Sequence, residues 1–207
     1  MTVTLAVLAG GKSTRMGRNK ALLPIHGRPL LVHIIERLKP LADEVLVIAR
    51  TPETYTFLGV PVILDRYEDV GPLAGLHAAF TAAHGDLAMV VACDMPLVRR
   101  ETFAYLLSLA EGVDVVMPRI QGREEPLHAV YRPVTCLPAV EAAIHRGQKR
   151  LISFLPDVRV RYVDDTMLRG VDPELRSFVN VNTPEEWERW VGVPFPSTYR
   201  KEQEEGG

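Results

Sequence analysis

Short, wholly apolar runs alternate with stretches whose apolar residues recur every three or four positions along this 207-residue chain. The first kind predicts β-strands covered on both faces, the second amphipathic helices. Residues 2–8, 44–49, 60–64 and 87–92 read as strands, and 113–117, 127–131, 158–163 and 178–181 as further ones. Leu31, Ile34, Ile35 and Leu38 stripe a helix. So do Leu73, Leu76, His77 and Phe80, then Phe103, Leu106, Leu107 and Ala110. A fourth helix is predicted over 133–145. Thr183-Pro184-Glu185-Glu186 opens a last one: threonine at the N-cap, proline at N1, and glutamate at N3 closing a capping box. Strands alternating with helices predict an α/β domain, its sheet mixed and mainly parallel and sandwiched by helices. One domain is expected over 1–192, with a loosely held tail over 193–207.

Composition narrows the function. Hydrophobic residues make up 47% and charged residues 24%, enough apolar matter for a full core. The net charge of −2 leaves no polycationic surface for nucleic acid. Cys93 and Cys136 are too few for a disulfide framework or a zinc cluster. No apolar run approaches the roughly 20 residues that cross a bilayer, and the apolar start lacks a basic leader region. A cytoplasmic protein with no membrane or nucleic-acid partner is expected.

The segment after the first strand carries the chemistry. Leu8-Ala9-Gly10-Gly11-Lys12-Ser13-Thr14-Arg15-Met16-Gly17-Arg18-Asn19-Lys20 contains Gly-Lys-Ser, but a P-loop needs a further glycine where Ala6 stands inside the strand. Glycines at 10, 11 and 17 also miss the dinucleotide spacing. What remains is a glycine-bearing loop with Lys12, Arg15, Arg18 and Lys20. Its backbone N–H groups can cradle an anion, and Arg15 and Lys20 can add charge-assisted hydrogen bonds to phosphate. A solvated basic loop would show the same composition.

Asp94 follows an apolar strand, at the sheet edge where open α/β folds bind ligands. A hard cation such as Mg²⁺ takes one or two carboxylates plus substrate phosphates there, although an aspartate could instead cap the helix beginning near Arg99. Asn180 and Asn182 project together if 178–181 is a strand; only Asn19 shares their residue type in the chain. Asn182 could equally start a turn. Gly71-Pro72-Leu73-Ala74-Gly75 permits close backbone approach to a ligand, or is an ordinary helix entry. His77 reads as a packed core residue and His128 as structural. Arg146-Gly147-Gln148-Lys149-Arg150 could meet an anion or simply complement a helix dipole. Serine-hydrolase and zincin motifs are absent from the sequence.

Leu-Ala-Gly-Gly-x-Ser-x-Arg-Met-Gly-x-x-Lys resembles the signature of nucleotidylyltransferases with a glycosyltransferase-A-like fold. Gly71–Gly75, Cys93-Asp94-Met95-Pro96 and Asn180-Val181-Asn182-Thr183-Pro184 bring the resemblance to the molybdenum cofactor guanylyltransferases, over residues 3 to about 190. The resemblance implies a Rossmann-like fold and transfer of GMP from GTP to the terminal phosphate of molybdenum-molybdopterin, with Mg²⁺ and release of pyrophosphate. Carried over position by position, it makes Arg15, Lys20 and Asp94 catalytic. Leu8, Ala9, Gly10, Gly11, Lys20, Asp65, Gly71, Gly75 and Asp94 would bind GTP, and Asp94 with Asn182 the metal. Partners would be molybdopterin and the apoproteins and insertion proteins that receive the cofactor. A CTP-using relative, a sugar-1-phosphate nucleotidylyltransferase and a non-catalytic GTP carrier are the alternatives. Asn19 departs from the family pattern, which has aspartate there. Ile48-Ala49-Arg50 stands where an asparagine is often found.

Overall fold

The computed structural model describes residues 1–9, 19–64 and 71–196. In chain order the elements are β1 (Val3–Leu8), the hairpin β2 (Pro24–Ile25) and β3 (Arg28–Pro29), α1 (Leu30–Leu38), β4 (Glu44–Ala49), β5 (Val62–Leu64), α2 (Leu73–Ala82), β6 (Leu87–Ala92) and α3 (Arg100–Ser108). There follow β7 (Val115–Ile120), β8 (Arg123–Glu124), β9 (His128–Tyr131), α4 (Pro133–His145), β10 (Val160–Asp164), α5 (Asp165–Leu168) and α6 (Pro184–Val191). The main sheet has the order β10-β7-β9-β6-β1-β4-β5, with β8 on β7. β4, β1 and β6 are parallel neighbours, as are β10 and β7; β9 runs antiparallel to both β6 and β7. The expected mixed, mainly parallel sheet is therefore present.

β1 and β6 are buried at every residue, as their largely apolar sequence requires; the one polar side chain, Thr4, donates to Glu44 at 2.7 Å. Alternate residues of β1 feed two cores. Leu5 and Val7 pack with Leu31 and Ile34 of α1, Phe103 and Leu106 of α3 and Trp187 of α6. Ala6 and Leu8 pack with Leu76 and Phe80 of α2 and Val140 of α4. Side chains of this size contribute roughly 1.5–3 kcal/mol each when fully buried. The two cores clamp the sheet between helices on both faces.

Two expectations change. Residues 178–181 form no strand. The chain turns through a 3₁₀ helix, Arg176–Phe178, entered from a left-handed Leu175 (φ 53°). It then crosses the end of β6, where the Val181 N–H donates to the Asp94 carbonyl at 2.9 Å. One bond across a strand end makes no ladder, so the period-two argument for Asn180 and Asn182 fails; Asn180 is exposed. The expected loose hold does not extend to Phe195; residues 197–207 lie outside the described residues. Phe195 is buried, its ring edge-on to Trp187 at 6.3 Å, and its N–H donates to Glu188 at 3.0 Å. The capping box is present as expected: the Glu186 N–H donates to the Thr183 hydroxyl at 3.1 Å, and the Glu186 carboxylate accepts from the Thr183 N–H at 3.2 Å.

Candidate active site

The site forms where the parallel strands end. β1 stops at Leu8, whose carbonyl accepts from the Cys93 N–H at 3.1 Å. That bond ties the residue before Asp94 to the start of the glycine-bearing segment. The Ala9 N–H donates to the Ile48 carbonyl at 2.9 Å, and the Ala9 carbonyl accepts from the Tyr55 hydroxyl at 3.1 Å. Both polar backbone atoms of Ala9 are thus engaged within the protein.

Asp94 stands two residues past β6, held by its carbonyl's bond to Val181. Its Oδ1 is buried and has no hydrogen-bond partner among the described residues. Burial raises the carboxyl's pKa, and the positive charge of Lys20 opposes that rise. A buried carboxylate oxygen without a partner costs about 1–3 kcal/mol or more, and natural folds tolerate it where a ligand completes the site. Helix α3 starts from Arg99, which has no side-chain cap, so the structure does not use Asp94 to cap it.

Lys20 opens a short 3₁₀ turn, Lys20–Leu22, capped by Asn19, whose Oδ1 accepts from the Ala21 N–H at 3.1 Å. The Lys20 ammonium donates to Asn182 Oδ1 at 2.6 Å. The backbone N–H of Asn182 donates to the Glu186 carboxylate, also at 2.6 Å, which fixes the asparagine on the cap of α6. The structure thus joins Lys20, Asp94 and Asn182, which are far apart in sequence. The amide oxygen expected to face a metal is occupied by Lys20.

Sequence reasoning missed Glu125. In the β6–β9 pairing Val91 faces His128, and the Ala92 N–H donates to the Leu127 carbonyl at 3.0 Å. Beyond that bond the ladder ends: Glu125 sits in the turn entering β9, its carbonyl accepting from the His128 N–H at 3.0 Å, close enough to Asp94 to feel its charge. Burial, then the charge of Asp94, pushes the Glu125 carboxyl up to about 7. No signal in the polar stretch 121–125 marked this residue, because its nearness to Asp94 is set by long-range packing. Among the described residues no three His, Cys, Asp or Glu side chains gather to hold a metal by themselves. Two carboxylates completed by phosphate oxygens match how Mg²⁺ is usually bound.

Gly71 has a left-handed φ of 71° and Gly75 lies in the first turn of α2. A Cβ on Gly75 would meet Leu8 Cδ2 at 3.0 Å, so this glycine lets α2 press onto the end of β1. The N-terminus of α2 has no side-chain cap and opens toward the same edge. A Cβ on Gly71 would lie 3.8 Å from the Lys149 carbonyl, so the basic stretch after α4 borders this segment. Gly10, Gly11, Lys12, Arg15, Arg18 and Asp65 lie outside the described residues.

The remaining candidates are structural. His128 is wholly buried, stacked on Phe103 at 4.5 Å and near Phe178 at 4.4 Å, and burial pulls its pKa down to about 3. His77 is only half-buried, 3.4 Å from Glu141 on α4, and so is less enclosed than its apolar stripe suggested. The Cys93 thiol is pushed up to about 12 by burial and by Asp94, which keeps it unreactive.

A parallel α/β platform with a lysine and a buried carboxylate converging at its edge is that of a nucleotidyltransferase, and comparison bears this out. The family model of the MobA-like NTP transferase domain matches residues 5–160, and the chain belongs to that family. It is 38% identical over 191 residues to the probable molybdenum cofactor guanylyltransferase of Carboxydothermus hydrogenoformans, covering 92% of this chain and 96% of the relative. The protein of the same description from Pelotomaculum thermopropionicum is 38% identical over 184 residues, 89% of each chain. The solved molybdopterin-guanine dinucleotide biosynthesis protein A of Archaeoglobus fulgidus superposes with a TM-score of 0.77 at 30% identity, over 91% of this chain and 97% of that one.

Proposed function

We propose that this nucleotidyltransferase moves GMP from GTP to the terminal phosphate of molybdenum-bearing molybdopterin. The products are the guanine dinucleotide and pyrophosphate. The observation that carries the reading is the unpartnered, buried Asp94 Oδ1 beside the Lys20 ammonium. The choice of guanine and of the pterin acceptor follows the names of the relatives.

An oxygen of the acceptor phosphate bonds to the α-phosphorus of GTP as the bond from that phosphorus to the bridging oxygen breaks. Pyrophosphate leaves with the electron pair. The attacking oxygen is already anionic, so the protein's task is positioning and charge neutralisation. Lys20, oriented by Asn182, neutralises charge on the phosphates; Arg15 adds to it by its place in the motif. Asp94, with Glu125 near it, would hold a divalent cation, Mg²⁺ in this reading, which supplies charge neutralisation on the phosphate oxygens. The segments around Leu8–Gly11, Asp65 and Gly71–Gly75 receive the nucleoside. Asn182 serves this arrangement as the partner of Lys20.

Among the described residues no helix is long and apolar enough to cross a membrane. Both cysteines are free thiols, consistent with the reducing cytoplasm assigned in this reading. The test is pyrophosphate release from GTP, CTP, ATP or UTP with molybdopterin and Mg²⁺. GTP is expected to be preferred, and Asp94→Ala to lose about 10²–10³ in rate, the scale for removing one electrostatic group. Preference for CTP overturns the guanine assignment. Binding of GTP without turnover overturns the enzymatic one.

A further inference from the structure

The segment 10–18 is bracketed by two residues that share one oxygen atom. Before it, the Ala9 carbonyl accepts from the Tyr55 hydroxyl at 3.1 Å. After it, Asn19 Nδ2 donates to the same hydroxyl at 2.5 Å. Tyr55 comes from the 3₁₀ stretch Pro52–Leu58 that follows β4, and only 1% of it is exposed. We propose that Tyr55 is a positioning residue whose hydroxyl joins both ends of the glycine-bearing segment and so sets Lys20 at the phosphate site. The proposal rests on the reading of that segment as the nucleotide's phosphate site.

The bonding has a direction. A tyrosine hydroxyl has one hydrogen, and here it goes to Ala9; the group at position 19 must therefore be a donor. Asparagine supplies one from Nδ2 while its Oδ1 still accepts from the Ala21 N–H. An ionised aspartate only accepts, so it would draw the tyrosine hydrogen to itself and leave the Ala9 carbonyl without its donor. Asn19, the departure from the family pattern, is thus matched to Tyr55. Burial raises the tyrosine pKa, which keeps the hydroxyl protonated and able to donate. Lys20 follows Asn19 directly and reaches Asn182. Fixing Asn19 against Ala9 therefore fixes the lysine relative to the strand end that precedes Cys93 and Asp94. A receptor whose competent form is only partly populated binds more weakly by that fraction, while its chemistry once loaded is unchanged.

The experiment compares wild type, Tyr55→Phe and Thr56→Ala, an exposed residue on the same turn. Amide exchange is followed by peptide, and Mg²⁺-GTP binding by calorimetry. Tyr55→Phe is expected to speed exchange in the peptide spanning 19–25 at least fivefold while β6 stays protected. It should raise the GTP dissociation constant about tenfold with kcat at saturation within twofold. Thr56→Ala should match wild type in both. Asn19→Asp should weaken GTP binding in wild type and add nothing in the Tyr55→Phe background. Unchanged exchange in Tyr55→Phe, or an additive Asn19→Asp effect, overturns the proposal. A drop in thermal midpoint with unchanged GTP affinity also overturns it, since that is the mark of a merely structural tyrosine. If wild type binds no nucleoside triphosphate, the functional reading fails, and the exchange result still decides whether Tyr55 ties the segment.

Discussion

Lowering the pH from 7.5 to 5 should destabilise this protein by about 2 kcal/mol through His128 alone. The ring is sealed between Phe103 and Phe178. Ser177 Oγ lies 3.2 Å from Nε2, and Met95 Sδ lies 3.2 Å from Nδ1. A thioether sulfur can only accept, so the ring proton sits on Nδ1, and the Ser177 hydroxyl, which accepts from the Arg99 N–H at 2.9 Å, gives its hydrogen to Nε2. A second proton would find no good acceptor, and burial pulls the folded pKa down to about 3. In the unfolded chain the same ring titrates near 6.5. Below that value the unfolded state binds a proton that the folded state refuses, so stability falls with pH. The loss is about 1.4 kcal/mol per unit and levels off near pH 3 at about 5 kcal/mol. Urea unfolding at pH 7.5, 6 and 5 measures this. His128→Leu, of similar volume, costs some stability at every pH but should lack this slope; His128→Gln gives a second, polar comparison. The other histidines and the carboxylates contribute equally to all three proteins and cancel in the difference. A constant gap between the wild-type and variant curves across this range would refute the argument. The result bears on the site because His128 lies behind the turn carrying Glu125 and beside Ser177, which leads to Asn182.

Further outcomes follow from single contacts. Asp94→Asn should slow turnover about 10²–10³-fold yet raise stability by about 1 kcal/mol in thermal unfolding at pH 7, because burial disfavours the charge it removes. Glu125→Gln should raise the Mg²⁺ concentration for half-maximal pyrophosphate release about tenfold; an unchanged Mg²⁺ titration would remove Glu125 from the site. Gly75→Val, whose branched side chain collides with Leu8, should cost about 1–3 kcal/mol in urea unfolding and weaken GTP binding. Thr183→Ala, which removes the cap of α6, should cost about 1 kcal/mol and loosen Asn182 enough to raise the GTP KM.

Much of the fold was legible in the chain because its signals are local. β1 and β6 are almost wholly apolar since helices cover both their faces, and the cap of α6 is spelled out in four consecutive residues. The motif residues Lys20, Asp94 and Asn182 could be picked out by residue type and place. Their meeting could not be read, since it depends on the strand order that puts β1 between β6 and β4. The turn into β9 brought Glu125 within reach of the Asp94 charge, and such a long-range approach leaves no trace in local alternation. Val179 and Val181 suggested a strand that the chain does not make, because a segment lying across a strand end has no neighbour to pair with. Tyr55 looked like one aromatic among several until the fold placed its hydroxyl between residues 9 and 19. Periodicity and capping act over a few residues and survive in one dimension. Which groups share a hydrogen bond or a charge is settled by long-range packing, and only the folded chain decides it.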